Sequence, residues 1–349
     1  MKQLHNLVYI IYDGIDNPVF EGQVVAPLLK KIANNPGITI HLISLETTPP
    51  CIKWLNNFNA AHGKNLSLHI IPRTRYTGLW NLYAPLQKVK TFLKTLDTYT
   101  VIARGPLAGY IAQKSVTESC LDLTIQVRGL LAEEYRFAHR SAVFPFSLVH
   151  ALRKHQYHTL EKKVFTRACH LETVTQALKT YLCTTYALNP DVITIAYDDI
   201  PTLIEPQKKD LYRARLRTYL GIKETTYVYV YNGSAKPWQC PHQTVDLFCT
   251  EYAKNQNTYL LILTRDVADF KKILIHSELP LQTYSIHSVT HTSISEYLCA
   301  ADEGLLLREH DIVNWVSRPT KFLEYLAVGL PVRHNNTIHL LIEHKKSRP

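Results

Sequence analysis

Short apolar runs alternate with longer amphipathic stretches through the first part of the chain. Five runs of strand length lie at residues 7–11, 39–45, 68–71, 100–103 and 123–127. The stretches between them place apolar residues at helical spacing, as at Val24, Val25, Leu28 and Ile32. Alternation of strand and helix is typical of βαβ units, so this pattern predicts a parallel sheet covered by helices.

The same alternation starts again after residue 210, with strand-length runs at residues 227–231, 259–263, 283–286 and 304–307. Between the two series, Asp198, Asp199, Pro201 and Pro206 interrupt the pattern, and we expect a basic helix to begin near Leu211. A chain of 349 residues is also long for one hydrophobic core. We therefore predict two α/β domains of Rossmann-like type, at residues 1–200 and 201–349.

Charge narrows the range of partners. The formal net charge is +10 and the pI is about 9.1, so the surface attracts polyanions. The basic residues are dispersed and no aromatic-basic recognition motif is present, so nucleic acid is not an expected partner. A basic helix predicted at residues 146–167 is either a solvated face or a surface for a phosphorylated acceptor or an anionic membrane.

Cellular location is constrained by two further features. The seven cysteines are scattered and none has Cys-x-x-Cys spacing, which favours free thiols in a reducing compartment and argues against a zinc site. No apolar stretch approaches the roughly 20 residues that span a bilayer. We expect a cytoplasmic protein whose membrane contact, at the inner face of the cytoplasmic membrane, is peripheral.

The segment SRPTKFLEYLAVGLPV, residues 317–332, carries the most informative chemistry. Pro319 favours a helix start and Gly329 with Pro331 a helix stop, so a helix is predicted at residues 319–328. Backbone N–H groups from Thr320 onward and the Lys321 ammonium would form an anion site suited to a diphosphate. One turn later, the Glu324 carboxylate can accept hydrogen bonds from two ribose hydroxyls. The alternative is that Lys321 and Glu324 form a solvated pair.

Other basic residues follow predicted strand ends, where open α/β sheets bind ligands. In the second domain, Lys236 lies beside a possible diphosphate or is simply exposed, and Arg265 faces the ligand or forms a structural salt bridge. In the first domain, Arg104 and Arg128 hold the corresponding positions.

Residues 317–332 resemble the donor-binding motif of the retaining GT-B glycosyltransferases of glycosyltransferase family 4, also called group 1. Residues 297–308 resemble the strand that leads into that motif, and residues 229–234 with Trp238 and Gln239 resemble the first strand and turn of the second domain. In the first domain, Gly14 and Gln23 resemble the opening glycine-containing loop. The likeness covers most of the second domain and is looser in the first.

The resemblance implies a GT-B architecture with two Rossmann-like domains whose parallel sheets face a central cleft. The second domain would hold a UDP-, GDP- or ADP-sugar through donor-binding residues, which are Gly233, Ser234, Lys236, Arg265, Ser317, Thr320, Lys321 and Glu324. The first domain would hold the acceptor near Gly14, Gln23, Arg104 and Arg128. The implied reaction moves a hexose-like group, with retention, to a hydroxyl of a glycan or lipid-linked acceptor, without a metal or cofactor, in polysaccharide or glycolipid biosynthesis.

Three departures from the family pattern qualify this implication. Val316 stands where many members carry a second glutamate, and Glu309 is the substitute that we assign, beside Lys321, to catalysis. Gln126 replaces the acid of an Asp-x-Arg-Gly run. The sequence ends at Pro349, soon after Val332, so we expect the second domain to be shortened at its C-terminus relative to the family. The open alternatives are a non-catalytic or impaired relative that binds a glycan or protein, and a nucleotide-sugar epimerase of similar architecture.

Overall fold

The computed structural model describes residues 5–12, 14–17, 20–63, 65–76, 78–196, 203–290 and 293–346. The chain forms two compact units, Met1–Asp199 and Ile200–Pro349. The predicted boundary at residue 200 lies outside the described residues. Among the described helices, none combines the length and apolarity that crossing a membrane requires.

Unit 1 is built on a parallel sheet with the strand order β3-β2-β1-β4-β5-β6-β7 in the part of the chain described. The strands are β1 His5–Ile11, β2 Ile38–Glu46, β3 Leu66–Pro72, β4 Tyr99–Arg104, β5 Cys120–Val127, β6 His170–Thr173 and β7 Ile193–Ile195. The central strands β1 and β2 are almost continuously buried, as expected for a parallel sheet covered on both faces.

Helices connect these strands as right-handed crossovers require. They are α1 Ala26–Asn34, α2 Ile52–His62, α3 Tyr83–Leu93, α4 Gly105–Ser115, α5 Leu131–Ala138, α6 Phe146–Phe165 and α7 Gln176–Tyr186. A π-helical turn, Glu21–Val25, leads into α1, and 3₁₀ turns lie at Leu79–Leu82 and Pro190–Val192. The basic helix predicted at residues 146–167 is α6.

Unit 2 contains a smaller parallel sheet with the strand order β10-β9-β8-β11-β12 among its described residues. The strands are β8 Tyr227–Asn232, β9 Thr258–Leu263, β10 Tyr284–His287, β11 Glu303–Leu306 and β12 Val332–His334. Side chains of β8 alternate between two apolar clusters: Val228 and Val230 pack on one face, and Tyr229 and Tyr231 on the other. Both faces of this sheet are therefore covered.

The helices of unit 2 are α8 Pro206–Leu220, α9 Pro241–Lys254, α10 Val267–Ile275, α11 Ile294–Cys299, α12 Ile312–Trp315, α13 Thr320–Ala327 and α14 His339–Lys346. Short 3₁₀ turns lie at Pro237–Gln239 and Leu281–Thr283. The predicted helix at residues 319–328 is α13, with Pro319 and Val328 as its flanking caps.

The nine strand-length runs identified in the sequence are all strands, which confirms the predicted α/β class. Three short strands were not predicted, namely β6, β7 and β12, because β6 and β12 each contain a single apolar residue and β7 has only three residues. The prediction that a basic helix begins near Leu211 is wrong by about one turn, because Pro206 occupies the first position of α8, where its missing N–H costs nothing.

Each sheet has a topological switch point of its own. In unit 1 the strand order reverses between β1 and β4, and in unit 2 it reverses between β8 and β11. Ligands of open α/β sheets bind beyond the carboxyl ends of the strands at such a point. The residues that follow β1, β4, β8 and β11 are therefore the first place to look for function.

A buried arginine ties α8 to the sheet of unit 2. Arg217 has no exposed surface, and its guanidinium donates to the carboxylate of Asp302 at 2.7 Å and to the carbonyl oxygens of Ala300, Lys223, Glu224 and Thr226. The same carboxylate accepts from the backbone N–H of Val228 at 2.8 Å, at the start of β8. The Arg217 side chain thus donates hydrogen bonds both to the segment between α8 and β8 and to the segment before β11.

We predict that Arg217→Met lowers the free energy of unfolding by about 3–5 kcal/mol, because it removes the buried guanidinium that donates to Asp302 and to four backbone carbonyl groups. The matched control on the same helix is Arg215→Met, which removes one exposed ion pair with Glu296 and should cost less than about 1 kcal/mol. Chemical denaturation measures both changes, and equal losses would contradict the role given to Arg217.

Candidate functional site

Tyr325 docks α13 over the switch point of unit 2. A Cβ at Gly304 in β11 would lie 2.6 Å from the Tyr325 ring, so the close approach depends on that glycine. The Tyr325 hydroxyl accepts from the backbone N–H of Asn232 at 3.1 Å and lies 3.3 Å and 3.2 Å from the carbonyl oxygens of Val230 and Leu305. One fully buried side chain therefore joins α13 to the ends of β8 and β11.

This docking buries Lys321 in the first turn of α13. The side chain is only 6% exposed, its ammonium donates to Oε1 of Gln239 at 2.8 Å, and Nζ lies 4.1 Å from the centre of the Tyr231 ring. Burial, and next the positive charge of Arg308, hold the pKa of Lys321 well below its ordinary value. The solvated-pair alternative for Lys321 is therefore wrong.

The turn after β8 shapes the space around this ammonium. Gly233 has φ of +153°, and a Cβ there would lie 2.5 Å from Oε1 of Gln239 and 2.7 Å from Nζ of Lys321. Ser234 accepts from Nε2 of Gln239 at 2.9 Å through Oγ, and its carbonyl accepts from the Tyr231 hydroxyl at 2.7 Å. Glycine at position 233 therefore leaves room for the ends of the Lys321 and Gln239 side chains.

A second cation, Arg308, is buried beside the first. It follows β11 and is 9% exposed, and Nη1 has no hydrogen-bond partner among the residues that the structure describes. Asn335 fixes its backbone, accepting from the Arg308 N–H at 3.2 Å and donating to its carbonyl at 2.7 Å. Burial lowers the pKa of Arg308 as well.

Burying two neighbouring cations is energetically unfavourable in the protein alone. The same pair of cations attracts an anion. Desolvation disfavours the protonated forms of both Lys321 and Arg308, and the charge of Arg308 further disfavours that of Lys321. A dianion placed between them would remove the repulsion and supply acceptors for their N–H groups.

Glu324 lies one turn further along α13 and is half-buried. Oε2 of its carboxylate accepts from Nδ2 of Asn232, the last residue of β8. This bond holds the carboxylate at the same strand end as Gly233.

Glu309 and Cys240 border the two cations. Glu309 is half-buried, its carbonyl accepts from Nδ2 of Asn314 at 2.9 Å, and its charge acts on the buried thiol of Cys240. Burial raises the pKa of Cys240, which has a left-handed backbone (φ +52°) at the entrance of α9. The structure thus brings Glu309 and Lys321 into one neighbourhood.

The remaining predicted donor-binding residues fall into two groups. Thr320 begins α13, and the hydroxyl of Ser317 donates to the carbonyl of Asn314 at 2.8 Å, so both lie at the entrance of this helix. Lys236 is exposed, with its ammonium 5.1 Å from the Trp238 ring, and Arg265 is exposed beyond β9. The contacts that gather Lys321, Gly233 and Ser234 do not include Lys236 or Arg265.

In unit 1, Gln23 and Arg104 meet at the switch point. Arg104 ends β4 and is 6% exposed, and its guanidinium donates to Oε1 of Gln23 at 2.7 Å. Gly14, with φ of +84°, follows β1, and a Cβ there would lie 2.9 Å from Oε2 of Glu46. Glu46, which the sequence did not single out, accepts from the backbone N–H of Ile15 at 2.9 Å and so fixes this loop.

Arg128 and Gly129 follow β5 in the same unit. Arg128 is half-buried, and a Cβ at Gly129 would lie 1.9 Å from Oε1 of Glu134, which explains the glycine. Gln126 is buried, accepts from the Tyr9 hydroxyl and donates to Glu172. An amide that both accepts and donates suits this position, so the departure at Gln126 has a structural reason.

Sequence reasoning missed Arg308, Gln239 and Glu46 as candidate site residues. Arg308 directly follows a predicted strand, as do Arg104 and Arg128, so the strand-end rule could have identified it. Gln239 belongs to the segment that resembles the first strand and turn of the second domain, but that resemblance gave it no role, and only the fold brings it to Lys321.

Comparisons with known proteins identify solved structures of similar fold. No protein-family model and no curated protein sequence matches the chain. Among solved structures, it is similar to WaaG, a glycosyltransferase involved in lipopolysaccharide biosynthesis, with a TM-score of 0.62 and 17% identity over 97% of this chain and 84% of that one.

Two other solved structures are similar. A sucrose-phosphate synthase from Thermosynechococcus elongatus has a TM-score of 0.65 and 12% identity, over 97% of this chain and 83% of that one. A Listeria monocytogenes structure described as a UDP-N-acetylglucosamine 2-epimerase has a TM-score of 0.52 and 12% identity, over 87% and 74%. The chain has the GT-B fold of two Rossmann-like domains, which confirms the predicted fold.

We predict that Gly233→Ala destabilises unit 2 by about 1–3 kcal/mol, because the new methyl group displaces Gln239 and Lys321 and φ is unfavourable. Gly221→Ala is the matched control: Gly221 also has positive φ, at +68°, but a Cβ added there would meet open space. Chemical denaturation should show the larger loss for Gly233→Ala, and an equal or smaller loss would contradict the crowding described at position 233.

Proposed function

We propose that the chain is a glycosyltransferase that binds a nucleotide diphosphate sugar in unit 2 and transfers the sugar to a hydroxyl of a glycan or lipid-linked acceptor. The observation that carries this proposal is the pair of buried cations, Lys321 and Arg308, at the switch point of unit 2. The similarity to GT-B glycosyltransferases supports it at the level of fold.

The diphosphate of the donor fits the two cations. Its oxygens would accept from the Lys321 ammonium and from the guanidinium of Arg308, whose buried Nη1 lacks a partner among the described residues. Gly233 has no side chain to obstruct the phosphates at the turn, and Ser234 borders the same turn. Thr320 and Ser317 stand at the entrance of α13, where the helix N-terminus favours negative charge.

Glu324 would hold the ribose. A carboxylate offers about four lone-pair directions, and the bond from Nδ2 of Asn232 takes up one of them. Lys321 and Glu324 lie one helical turn apart, and the diphosphate and the ribose are neighbours in a nucleotide diphosphate. The diphosphate would therefore contact Lys321 while the ribose contacts Glu324.

In the reaction, the bond between the anomeric carbon and the diphosphate oxygen breaks, and negative charge grows on the departing diphosphate. Lys321 and Arg308 would stabilise that charge in the transition state, without a metal, because they are buried and already in position. Glu309, which borders the cations, is the carboxylate that we assign to the sugar, and retention of configuration is part of the proposal. Lys236 and Arg265 are proposed as outer contacts to the donor.

Unit 1 would receive the acceptor at its own switch point. The loop at Gly14 and the pair formed by Gln23 and Arg104 follow β1 and β4, and Arg128 follows β5. We propose that these residues position the acceptor hydroxyl.

A nucleotide-sugar epimerase is the second candidate, favoured by the similarity to the Listeria structure. Incubation of the protein with a donor sugar alone, followed by product analysis, separates the two activities. A changed sugar configuration without an acceptor would indicate an epimerase, and donor binding without turnover would indicate a non-catalytic relative.

We predict that one of UDP, GDP or ADP raises the melting temperature of the native protein, since a ligand of the folded state adds stability. Lys321→Met and Arg308→Met should abolish this rise while leaving the melting temperature of the free protein equal or higher, because each removes a poorly compensated buried charge. In calorimetry, we expect the affinity for that nucleotide to fall roughly 10- to 100-fold.

The matched control is Lys271→Met, which removes an exposed cation from α10 of the same unit and should leave nucleotide binding unchanged. If Lys321→Met binds the nucleotide as tightly as the native protein, the anion site is assigned to the wrong residue. If none of the three nucleotides, nor their sugar conjugates, stabilises the native protein, the proposed function is wrong.

For Glu324→Gln we predict about tenfold weaker binding of the preferred nucleotide, because an amide has fewer acceptor sites than a carboxylate. Glutamine keeps an oxygen for Asn232, so the local structure should persist. Calorimetry with the ribonucleotide and its 2′-deoxy form tests the contact, since the preference for ribose should shrink in the variant. An unchanged ratio of the two affinities would rule out the ribose contact.

A further inference from the structure

Three polar side chains meet on one face of the sheet of unit 1, in the middle of β2 and β3. His41 of β2 is in register with Ser67 of β3, and His69 lies two positions further along β3, so the three side chains share a face. Phe92 of α3 packs against both imidazole rings, at centroid distances of 5.4 Å and 4.6 Å. We call His41, Ser67 and His69 the β2–β3 histidine cluster.

The polar atoms of this cluster form a nearly equilateral triangle. Nδ1 of His41 lies 3.4 Å from Nε2 of His69, and Oγ of Ser67 lies 3.2 Å from the first nitrogen and 3.0 Å from the second. When zinc is bound tetrahedrally at about 2.0–2.1 Å, its ligand atoms lie about 3.3 Å from one another. The triangle therefore has the size of one face of such a coordination shell.

A hydrogen bond outside the triangle orients His41. Nδ2 of Asn6 donates to the carbonyl of Thr98 at 3.1 Å, which leaves Oδ1 of the same amide facing Nε2 of His41 at 3.4 Å. The N–H of a neutral His41 is therefore on Nε2, and Nδ1 directs its lone pair into the triangle. Histidines that bind metals commonly donate their second N–H in this way, which fixes both the tautomer and the ring orientation.

Hydrogen bonding alone leaves the triangle incompletely paired. When both imidazoles are neutral, its three atoms carry at most two protons, one on Ser67 and one on His69, for three close contacts. A metal ion would instead accept a lone pair from each of the three atoms. Zinc-type ions bind imidazole nitrogen readily, so the two histidines are suitable principal ligands.

We propose that the β2–β3 histidine cluster binds one divalent transition-metal ion of zinc type. The ligands would be Nδ1 of His41 and Nε2 of His69, with Oγ of Ser67 and a water molecule completing a tetrahedron. In the described chain, no group of three or more histidine, cysteine or acidic side chains gathers at one place, so solvent has to supply the fourth ligand.

The bound ion would have a structural role. It would join β2 to β3, which is the last strand of the sheet in the part of the chain described. The cluster lies in the middle of these strands, away from their carboxyl ends, so the ion takes no part in the proposed transfer reaction. The proposal concerns unit 1 alone and does not rest on the proposed function.

Calorimetric titration of the native protein with Zn²⁺, after treatment with a chelator and its removal, tests the proposal. We expect one site, and a higher melting temperature when Zn²⁺ is present, because the ion binds the folded state. His69→Phe keeps an aromatic ring beside Phe92 but removes the ligand nitrogen. It should lower the affinity of the site at least about tenfold.

The matched control is His150→Phe, which removes one histidine from another pair in unit 1. The rings of His139 and His150 are stacked 4.3 Å apart, but Nδ1 of each contacts Tyr135, at its carbonyl and at its hydroxyl respectively. These nitrogens do not converge on one point. The control should therefore bind Zn²⁺ as tightly as the native protein.

Free thiols also bind zinc, and Cys51 and Cys169 are exposed, so a spectrum has to identify the ligands. Co²⁺ bound to the native protein should give the intense visible bands of tetrahedral coordination without a thiolate charge-transfer band. The proposal is overturned if the native protein binds neither ion, if the spectrum shows thiolate ligands, or if His69→Phe binds as tightly as His150→Phe. Nucleotide stabilisation, measured in parallel, reports on unit 2 independently.

Discussion

The burial of Lys321 beside Arg308 is the constraint on which the candidate site depends. Each cation loses hydration on burial, and the charge of Arg308 further disfavours protonation of Lys321, so the native fold has to hold both side chains in place by other means. Tyr325 does this for Lys321 by fastening α13 to the ends of β8 and β11, and Asn335 does it for Arg308 through the backbone. Packing and hydrogen bonds elsewhere in unit 2 offset the cost of burying these two side chains.

Several positions in the same region accept only certain residue types, because the backbone conformation or the space around it limits the side chain. At Gly233 a Cβ would displace the ends of the Gln239 and Lys321 side chains and the backbone has positive φ, and at Gly304 a Cβ would meet the Tyr325 ring. Cys240 adopts a left-handed conformation a few residues away. Strained or crowded backbone persists where surrounding contacts determine it fully, and such positions cluster at functional sites. The clustering here agrees with the assignment made from charge alone.

The two units repeat one arrangement with different consequences. In each, an arginine stands at or just beyond the end of the strand across the switch point, Arg104 after β4 and Arg308 after β11. Arg104 is engaged by Gln23, so its charge is partly satisfied within unit 1, whereas Nη1 of Arg308 has no such partner in the described chain. This difference favours unit 2 for the anion and leaves unit 1 for a less charged ligand.

The sequence by itself determined the fold class, because the apolar runs of the nine longer strands and the proline and glycine signals around α13 are local and strong. It also selected Lys321 and Glu324, since a helix start followed by a cation and an acid one turn later is a local pattern. Tertiary structure alone decided that Lys321 is buried, that Gln239 and Arg308 are its neighbours, and that Glu46 fixes the loop at Gly14. These contacts join residues that are tens of positions apart, and the free energy that sets them arises from packing between elements. No local pattern in the sequence records that free energy.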